Sequence, residues 1–414
     1  MPTKEWTVLV WMAGDNNLED FALSDLQELK KVGSTSKVDV LVQLDVMRDD
    51  HTRRYHIHKG TSVNEDVVED LGETNTGDPK VAVDFFKWGI SRCPAKRYLA
   101  VIWNHGSGID ETDIYRRAYR ARMTVGRRIA PSATVVSPRL VRAALSRRYG
   151  RAIFASTVKQ ALRQPKFGIR GIAYDDSARD FLDNLELAKV LAAVKAKLKR
   201  KVDLLGFDAC LMNMLEIGYE LRASAGLVVG SEEVEPGDGW PYDRVLADLV
   251  AKPSMTAEQL GATIVKRYAE SYKSDAVTQS LLDTTRTPAT ARAVDELADA
   301  LIVALKDGEY GNVVKAVKDA QRFDMKDFVD LGDLAGQLRK RCRSEAVKSA
   351  AAAVIASLDD LVVAEKHVGA GLSRASGVSI YCPIIVKEAE PVYRRLAFAK
   401  DTRWDEFLRA CDQA

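Results

Sequence analysis

The chain has 414 residues, of which 46% are hydrophobic and 29% charged, values that are ordinary for a soluble globular protein. Its five cysteines are scattered and include no Cys-x-x-Cys pair, so they suggest neither a disulfide framework nor a zinc site. No apolar stretch approaches a membrane span, and the first strand starts too early to leave room for a signal peptide. We therefore expect a cytoplasmic protein, unless a leader has been removed.

The net charge of +2 conceals one strongly basic segment. Residues 111–170, called the basic insert below, contain 15 Lys and Arg residues against two acidic residues, a balance of +13. The rest of the chain together therefore carries −11.

Apolar runs that predict buried strands alternate with helical patterns over the first 254 residues. The runs are Trp6–Ala13, Val38–Val46, Tyr98–Trp103, Val202–Phe207 and Leu227–Gly230. This alternation predicts an α/β fold with a mostly parallel sheet flanked by helices. Ligands bind beyond the carboxyl ends of such strands, which is where His105 and Cys210 both fall.

From Met255 onward we predict a mainly helical C-terminal lobe with added strands. The predicted helices are Thr256–Tyr272, Ala289–Leu305, Asn312–Gln321, Asp327–Arg341 and Glu345–Lys366. Two strand-like runs, Val277–Leu282 and Val378–Tyr381, are expected to extend the sheet. The predicted organisation is residues 1–110 and 171–254 as core, 111–170 as insert and 255–414 as lobe.

Cys210 follows the strand Val202–Phe207 and precedes apolar residues at helical spacing, from Leu211 to Leu221. This pattern places Cys210 at a helix N-terminus, whose partial positive charge lowers a thiol pKa and favours a nucleophile. On this stretch alone, a small buried core residue is the better interpretation. His105, taken alone, is equally compatible with a hydrogen-bonded rim residue.

Five short segments occur in a distinctive order along the chain: Trp11–Leu18, Trp103–Gly108, Phe207–Met212, Pro236–Tyr242 and Gly377–Tyr381. This order resembles the clostripain family of cysteine peptidases, which have the caspase–haemoglobinase fold. The resemblance runs from about Trp6 to Pro383 and leaves out the basic insert. It implies a caspase-like fold and a Cys–His dyad.

Carried onto this chain, the resemblance implies that Cys210 is the nucleophile and His105 the general acid/base. The backbone N–H groups of Gly106 and Cys210 would form the oxyanion hole. With both motifs present, we favour catalysis over two structural residues.

The resemblance also implies a substrate pocket for an Arg or Lys side chain, lined by Asp208 and Asp238. The alternatives are a helix-capping role for Asp208 and a turn role for Asp238 in its Gly-Asp-Gly loop. Trp240 either forms a wall of this pocket or belongs to the core. We therefore predict an endopeptidase that cleaves after Arg or Lys in protein or peptide substrates.

The basic insert has three interpretations. It could be an activation segment that the enzyme cuts itself, a pseudosubstrate plug, or a surface for nucleic acid or anionic membrane. Pro138–Leu162 could form a basic amphipathic helix, but the insert lacks the interleaved aromatic residues of a nucleic-acid stacking platform. We favour self-processing. The candidate cut sites are Arg116-Arg117, Arg127-Arg128, Arg147-Arg148, Lys166 and Arg170.

Two further alternatives concern the whole chain. One is a non-catalytic caspase-like binding module whose insert engages an acidic partner. The other is a hydrolase with a Gly-x-Ser-x-Gly elbow, which Gly106–Gly108 matches poorly. We predict no cofactor and no metal. His51, His56 and His58 cluster in an early hairpin, where solvent-facing strand residues are a better interpretation than metal ligands.

Overall fold

The computed structural model describes residues 3–16, 18–104, 106, 172–175, 180–182, 184–383 and 393–413. His105 and the basic insert lie outside the described residues, as does the predicted amphipathic helix within that insert.

The strands are numbered in chain order. They are β1 (Lys4–Gly14), β2 (Val38–Val46), β3 (His51–His56), β4 (Val67–Asp70), β5 (Ala95–Trp103), β6 (Ile172–Asp175), β7 (Asp180–Leu182), β8 (Val202–Asp208), β9 (Ala225–Gly230), β10 (Val277–Asp283), β11 (Phe328–Asp330), β12 (Val362–Val368) and β13 (Ser379–Tyr381).

The α-helices are numbered in the same way. They are α1 (Glu19–Val32), α2 (Pro79–Arg92), α3 (Asn184–Leu198), α4 (Leu215–Leu221), α5 (Tyr242–Ala251), α6 (Ala257–Ser271), α7 (Thr287–Ala304), α8 (Tyr310–Asp319), α9 (Leu331–Arg341), α10 (Glu345–Leu361), α11 (Ala397–Asp401) and α12 (Trp404–Gln413).

Nine of these strands form one sheet in the order β12-β10-β9-β8-β5-β1-β2-β3-β4. The five central strands, β9, β8, β5, β1 and β2, are all parallel. Only β3 and β10 run against them, because the outer pairings are antiparallel. The prediction of a mostly parallel sheet flanked by helices is therefore confirmed.

Helices cover both faces of this sheet, as the alternating side chains of β1 illustrate. Val8 and Val10 belong to a hydrophobic cluster that includes Leu26 of α1 and Ile264 of α6. Leu9 and Trp11 face the opposite cluster, which holds Phe85 and Phe86 of α2 and the helices α7 to α10. Burial on both faces explains why the central strands are continuous apolar runs.

The structure corrects three predictions in the C-terminal lobe. The helix predicted to begin at Asp327 begins at Leu331, because Phe328–Asp330 form the strand β11. The helix that begins at Glu345 ends at Leu361 and not at Lys366, because the β-branched pair Val362-Val363 opens the strand β12 against β10. The run Val378–Tyr381 does not extend the main sheet. Its strand β13 pairs with β11 in a separate two-stranded sheet. Within the described residues, no helix combines the length and apolarity that crossing a membrane requires.

Candidate active site

Cys210 lies at the carboxyl end of the central strand β8, two residues after that strand ends. The neighbouring strand β5 ends in register with it, since Trp103 pairs with Asp208. Asn104 then joins three strand ends: its N–H donates to the Asp208 carbonyl at 3.3 Å, and its Nδ2 donates to the Ala13 carbonyl at 2.6 Å. The segments after β1, β5 and β8 therefore meet on one rim of the sheet, as predicted for the segments after β5 and β8.

The predicted helix N-terminus behind Cys210 is wrong. The helix α4 begins at Leu215, after an intervening segment in which Leu211 has a positive φ of 63°. That left-handed turn is costly for a residue with a branched side chain, and it separates the thiol from the helix. Cys210 is therefore not a first-turn residue of α4, and the backbone hydrogen bond to its sulfur comes from a neighbouring loop.

One such loop runs from Ser231 to Glu235 after β9. Its backbone bonds the segment after Cys210, since Leu211 N–H donates to the Glu233 carbonyl at 3.2 Å and Asn213 N–H to the Ser231 carbonyl at 2.9 Å. The Glu235 N–H donates to Cys210 Sγ at 3.1 Å, and the Glu235 carbonyl lies 3.8 Å from the same sulfur. An amide donor on sulfur stabilises a thiolate.

Gly106 packs directly against the Cys210 backbone. A Cβ built at Gly106 would lie 2.2 Å from the Cys210 carbonyl oxygen and 2.8 Å from Met212 Cγ. Only glycine allows this approach without a shift of one segment. The two residues predicted to form the oxyanion hole are thus in contact, while His105 lies outside the described residues.

Two buried acids lie close to Cys210: Asp208, two residues before it, and Glu235, whose backbone N–H donates to its sulfur. Asp208 is fully buried, and its Oδ2 accepts a hydrogen bond from the Tyr242 hydroxyl at 2.8 Å. Glu235 is also fully buried, with Gln279 Nε2 3.4 Å from its Oε1. Burial raises the pKa of Tyr268 well above its usual value, and Glu235, Asp208 and Cys210 are among the groups whose charge adds to that rise.

Asp238 and Trp240, the other two residues predicted to bind the substrate, differ in their exposure to solvent. Asp238 is exposed, in the turn that the Gly239 N–H closes on the Pro236 carbonyl at 3.1 Å. Trp240 is buried, and its ring lies against Gly206 of β8, where an added Cβ would come within 2.6 Å of it.

Glu235 is not among the site residues predicted from the sequence. Its position in the segment after β9, at the same rim of the sheet as Cys210, is the sequence feature that could have indicated it. Glu232 in the same loop is fully buried, and its Oε2 accepts a hydrogen bond from the Gly377 N–H at 3.1 Å. Burial, with Asp330 beside it, raises the pKa of Glu232 well above its usual value. Burial likewise raises the pKa of Asp330 to about 6.

Cys210, Cys93, Cys342 and Cys382 are all buried, and Cys411 is partly exposed. Burial raises the pKa of Cys342 to about 11 and the pKa values of Cys93 and Cys411 to about 12, and it raises the pKa of Cys382 further. A thiol is nucleophilic only as the thiolate, so these four residues are poor nucleophiles at neutral pH.

Two groups among the described residues bring three potential metal ligands within 4.8 Å of one another. The first contains three carboxylates, at the carboxyl ends of β1 and β2 and in the segment after β4: Asp15, Asp45 and Glu73. Burial and the nearby charge of Asp15 raise the pKa of Glu73. The second contains Asp39, His56 and Cys93 and lies elsewhere in the fold.

Comparison with known proteins supplies the family. The model of the clostripain family matches residues 10–121 and 154–410. Clostripain from Hathewaya histolytica is 25% identical over 344 residues, which cover 70% of this chain but 55% of that protein. The chain thus spans about half the length of this curated relative.

Two solved structures share the fold. An inactive zymogen of a C11 protease from Parabacteroides distasonis has a TM-score of 0.63 and 19% identity, with 97% of this chain and 99% of that chain covered. A secreted C11 cysteine protease from Bacteroides thetaiotaomicron, in complex with an irreversible peptide inhibitor, has a TM-score of 0.61 and 20% identity over 99% and 100% of the two chains. The family match extends over most of the sequence, and the chain therefore belongs to the clostripain family of cysteine peptidases.

Proposed function

We propose that this chain is a cysteine endopeptidase that cleaves after Arg or Lys, with Cys210 as nucleophile and His105 as general acid/base. The observation that carries the proposal is the setting of Cys210 at the end of a central parallel strand. There its sulfur accepts an N–H donor from Glu235, and its backbone contacts Gly106, the residue after His105.

In this mechanism the Cys210 thiolate attacks the substrate carbonyl carbon, and the negative charge moves to the carbonyl oxygen. The N–H groups of Gly106 and Cys210 stabilise that oxyanion. Protonated His105 gives its proton to the leaving amine, and the C–N bond breaks to leave a thioester on Cys210. A water molecule then gives a proton to His105 and hydrolyses the thioester, which restores the dyad.

The preference for a basic side chain is supported by the acids around the thiol. Asp208 and Glu235 are both fully buried near Cys210, and a buried carboxylate gains most from pairing with a guanidinium or ammonium group. Asp238 is exposed and would act at the rim of the pocket. Trp240 would act through its packing on β8 and not as an exposed wall.

Self-processing in the basic insert follows from the same specificity, because the insert offers several Arg and Lys sites to an enzyme that cleaves after them. The family model leaves residues 122–153 unmatched, so the departure from the family is concentrated in the insert. The zymogen state is a property of the relative from Parabacteroides distasonis. For this chain, both cleavage in the insert and the cytoplasmic location stay predictions.

Hydrolysis of fluorogenic peptides that end in Arg, Lys or Glu tests the proposal. The wild type is expected to hydrolyse the Arg and Lys peptides, and Cys210→Ala to lose on the order of 10³-fold or more in kcat/KM. Cys342→Ala, which removes another buried thiol, serves as the matched control and should retain activity. Equal rates for wild type and Cys210→Ala would contradict the proposal, as would inactivity after the insert has been nicked.

A further inference from the structure

Three elements bring a carboxylate, an imidazole and a thiol together at the opposite end of the sheet from Cys210. Asp39 lies near the start of β2, His56 is the last residue of β3, and Cys93 directly follows α2. His56 Nε2 lies 3.0 Å from Asp39 Oδ1, and one ligand atom from each of the three residues lies within 4.8 Å of the other two.

The sheet register explains this meeting. His56 pairs with Leu41, so Asp39, two residues before Leu41, shares its face of the sheet. The helix α2 packs on that face, since an added Cβ at Gly89 would meet the side chains of Leu9 and Leu41. Cys93, the residue after α2, therefore lies beside Asp39 and His56.

We propose that Asp39, His56 and Cys93 bind a divalent transition metal, with Zn²⁺ the best match. Thiolate and imidazole are ligands that Zn²⁺ prefers, whereas Ca²⁺ and Mg²⁺ select oxygen atoms. Tetrahedral Zn²⁺ with bonds of about 2.0–2.3 Å separates its ligand atoms by roughly 3.3–3.8 Å. The 3.0 Å between His56 Nε2 and Asp39 Oδ1 would lengthen slightly, any ligand separation closer to the 4.8 Å limit would shorten, and water would complete the coordination.

The charges around the site fit a divalent cation. A carboxylate and a thiolate together neutralise the charge of Zn²⁺. Lys4 Nζ, 3.1 Å from Asp39 Oδ1, competes for that carboxylate, but it also donates to the Thr35 carbonyl and can retain that bond. Binding converts the Cys93 thiol into a metal thiolate, so one proton leaves the protein for each ion bound.

Neighbouring residues hold the ligands in position. The Thr7 hydroxyl donates to the Cys93 carbonyl at 2.7 Å. The His58 ring packs 4.5 Å from the His56 ring, and its Nδ1 lies 3.3 Å from Asp66 Oδ1. His56 remains one-fifth exposed, which gives an ion a route from solvent. The sequence alone gave no reason for a metal here because Asp39 and Cys93 lie far from the hairpin in the chain.

The test uses the full chain in a Cys210→Ala background, which removes the candidate catalytic thiol as a competing ligand. Metal-free protein is titrated with Zn²⁺ and with Co²⁺, whose thiolate complexes absorb in the near ultraviolet. We expect one ion per chain, a thiolate–cobalt band and release of one proton per Zn²⁺. Cys93→Ser should abolish the band and weaken Zn²⁺ binding by at least about 10-fold.

Cys342→Ser is the matched control, since it removes another buried thiol that is not part of the cluster, and it should leave the band and affinity unchanged. His56→Gln, at a partly exposed position, provides a second variant should Cys93→Ser fail to fold, and it should also weaken binding. A folded Cys210→Ala protein that binds no Zn²⁺ would overturn the proposal, as would a cobalt band that survives in Cys93→Ser or Zn²⁺ affinity unchanged in His56→Gln.

Discussion

The backbone N–H of Glu235 donates to the sulfur of Cys210 across 3.1 Å, while the side chains of Glu235 and Asp208 are buried nearby. One loop residue thus has two roles in the proposed mechanism: its amide donates to the sulfur, and its carboxylate is proposed to attract a basic substrate side chain. The loop is held in place by the backbone bonds of residues 231 and 233 to the segment after Cys210.

Glu235→Gln removes the negative charge and leaves the backbone donor to sulfur in place. If the carboxylate attracts a basic substrate side chain, kcat/KM for Arg and Lys peptides should fall by about 10-fold, mainly through KM. Steady-state kinetics on the Arg, Lys and Glu peptides measure this. Glu258→Gln, at an exposed position in the first turn of α6, should leave all three rates unchanged. An equal loss on every peptide would mean that Glu235 acts only through the fold.

Gly106→Ala tests the contact between the two halves of the proposed oxyanion hole. The new Cβ would overlap the Cys210 carbonyl, so one segment must move. We expect a destabilisation of about 1–3 kcal/mol and a loss of about 100-fold or more in kcat. Gly336→Ala, where nothing lies within 4 Å of the added Cβ in α9, should be neutral or stabilising by about 0.5–1 kcal/mol. Full activity in Gly106→Ala would contradict the close approach.

The buried carboxyl groups of Glu232 and Asp330 make the stability of the fold depend on pH. The pKa of Asp330 rises from 3.8 to about 6, so between these values the folded chain holds a proton that the unfolded chain has lost. The contribution of Asp330 to the free energy of unfolding is therefore largest below pH 4 and falls by roughly 3 kcal/mol as the pH rises past 6.

Glu232→Gln keeps an acceptor for the Gly377 N–H and removes the second buried carboxyl group. In a Cys210→Ala background, this variant should match its parent near pH 4, where Glu232 is neutral in both the folded and the unfolded chain. At pH 8 the variant should be more stable than its parent. In the parent, folding must either bury an ionised Glu232 or keep this carboxyl protonated at a pH where the unfolded chain ionises it, and both cost free energy. Urea unfolding across this range measures the difference between the two proteins. A constant difference would show that Glu232 does not titrate with the raised pKa.

The alternating pattern of the sequence predicts the central parallel strands because each is buried on both faces. It fails where competing local signals decide the structure. Val362 and Val363 continue the apolar pattern of α10 but are β-branched, and they begin the strand β12, in which Val362 pairs with Leu282 of β10. The prediction that Val378–Tyr381 extends the main sheet is wrong, because the hydrophobic periodicity and composition of a strand do not specify which strand it pairs with.

The sequence likewise predicts some features of the candidate site and misses others. Cys210 and Gly106 are marked by their positions at strand ends, and their contact agrees with that placement. The turn at Leu211 has no sequence signal, since leucine favours the helix that the apolar spacing suggests. The cluster of Asp39, His56 and Cys93 is formed by three elements far apart in the chain, so only the sheet register reveals it.

The most direct test of the central claim is covalent labelling of the thiol. A peptide that ends in an arginyl ketone with a carboxylate leaving group is incubated with the full chain, and intact and peptide mass spectrometry locate the adduct. We predict one thioether on Cys210, formed as the thiolate displaces the carboxylate, with much slower labelling by the glutamyl analogue. The other four cysteines should stay unmodified, because each has a raised pKa and is protonated at neutral pH. Labelling of another cysteine, equal rates for the two analogues, or no adduct after the insert is nicked would contradict the account.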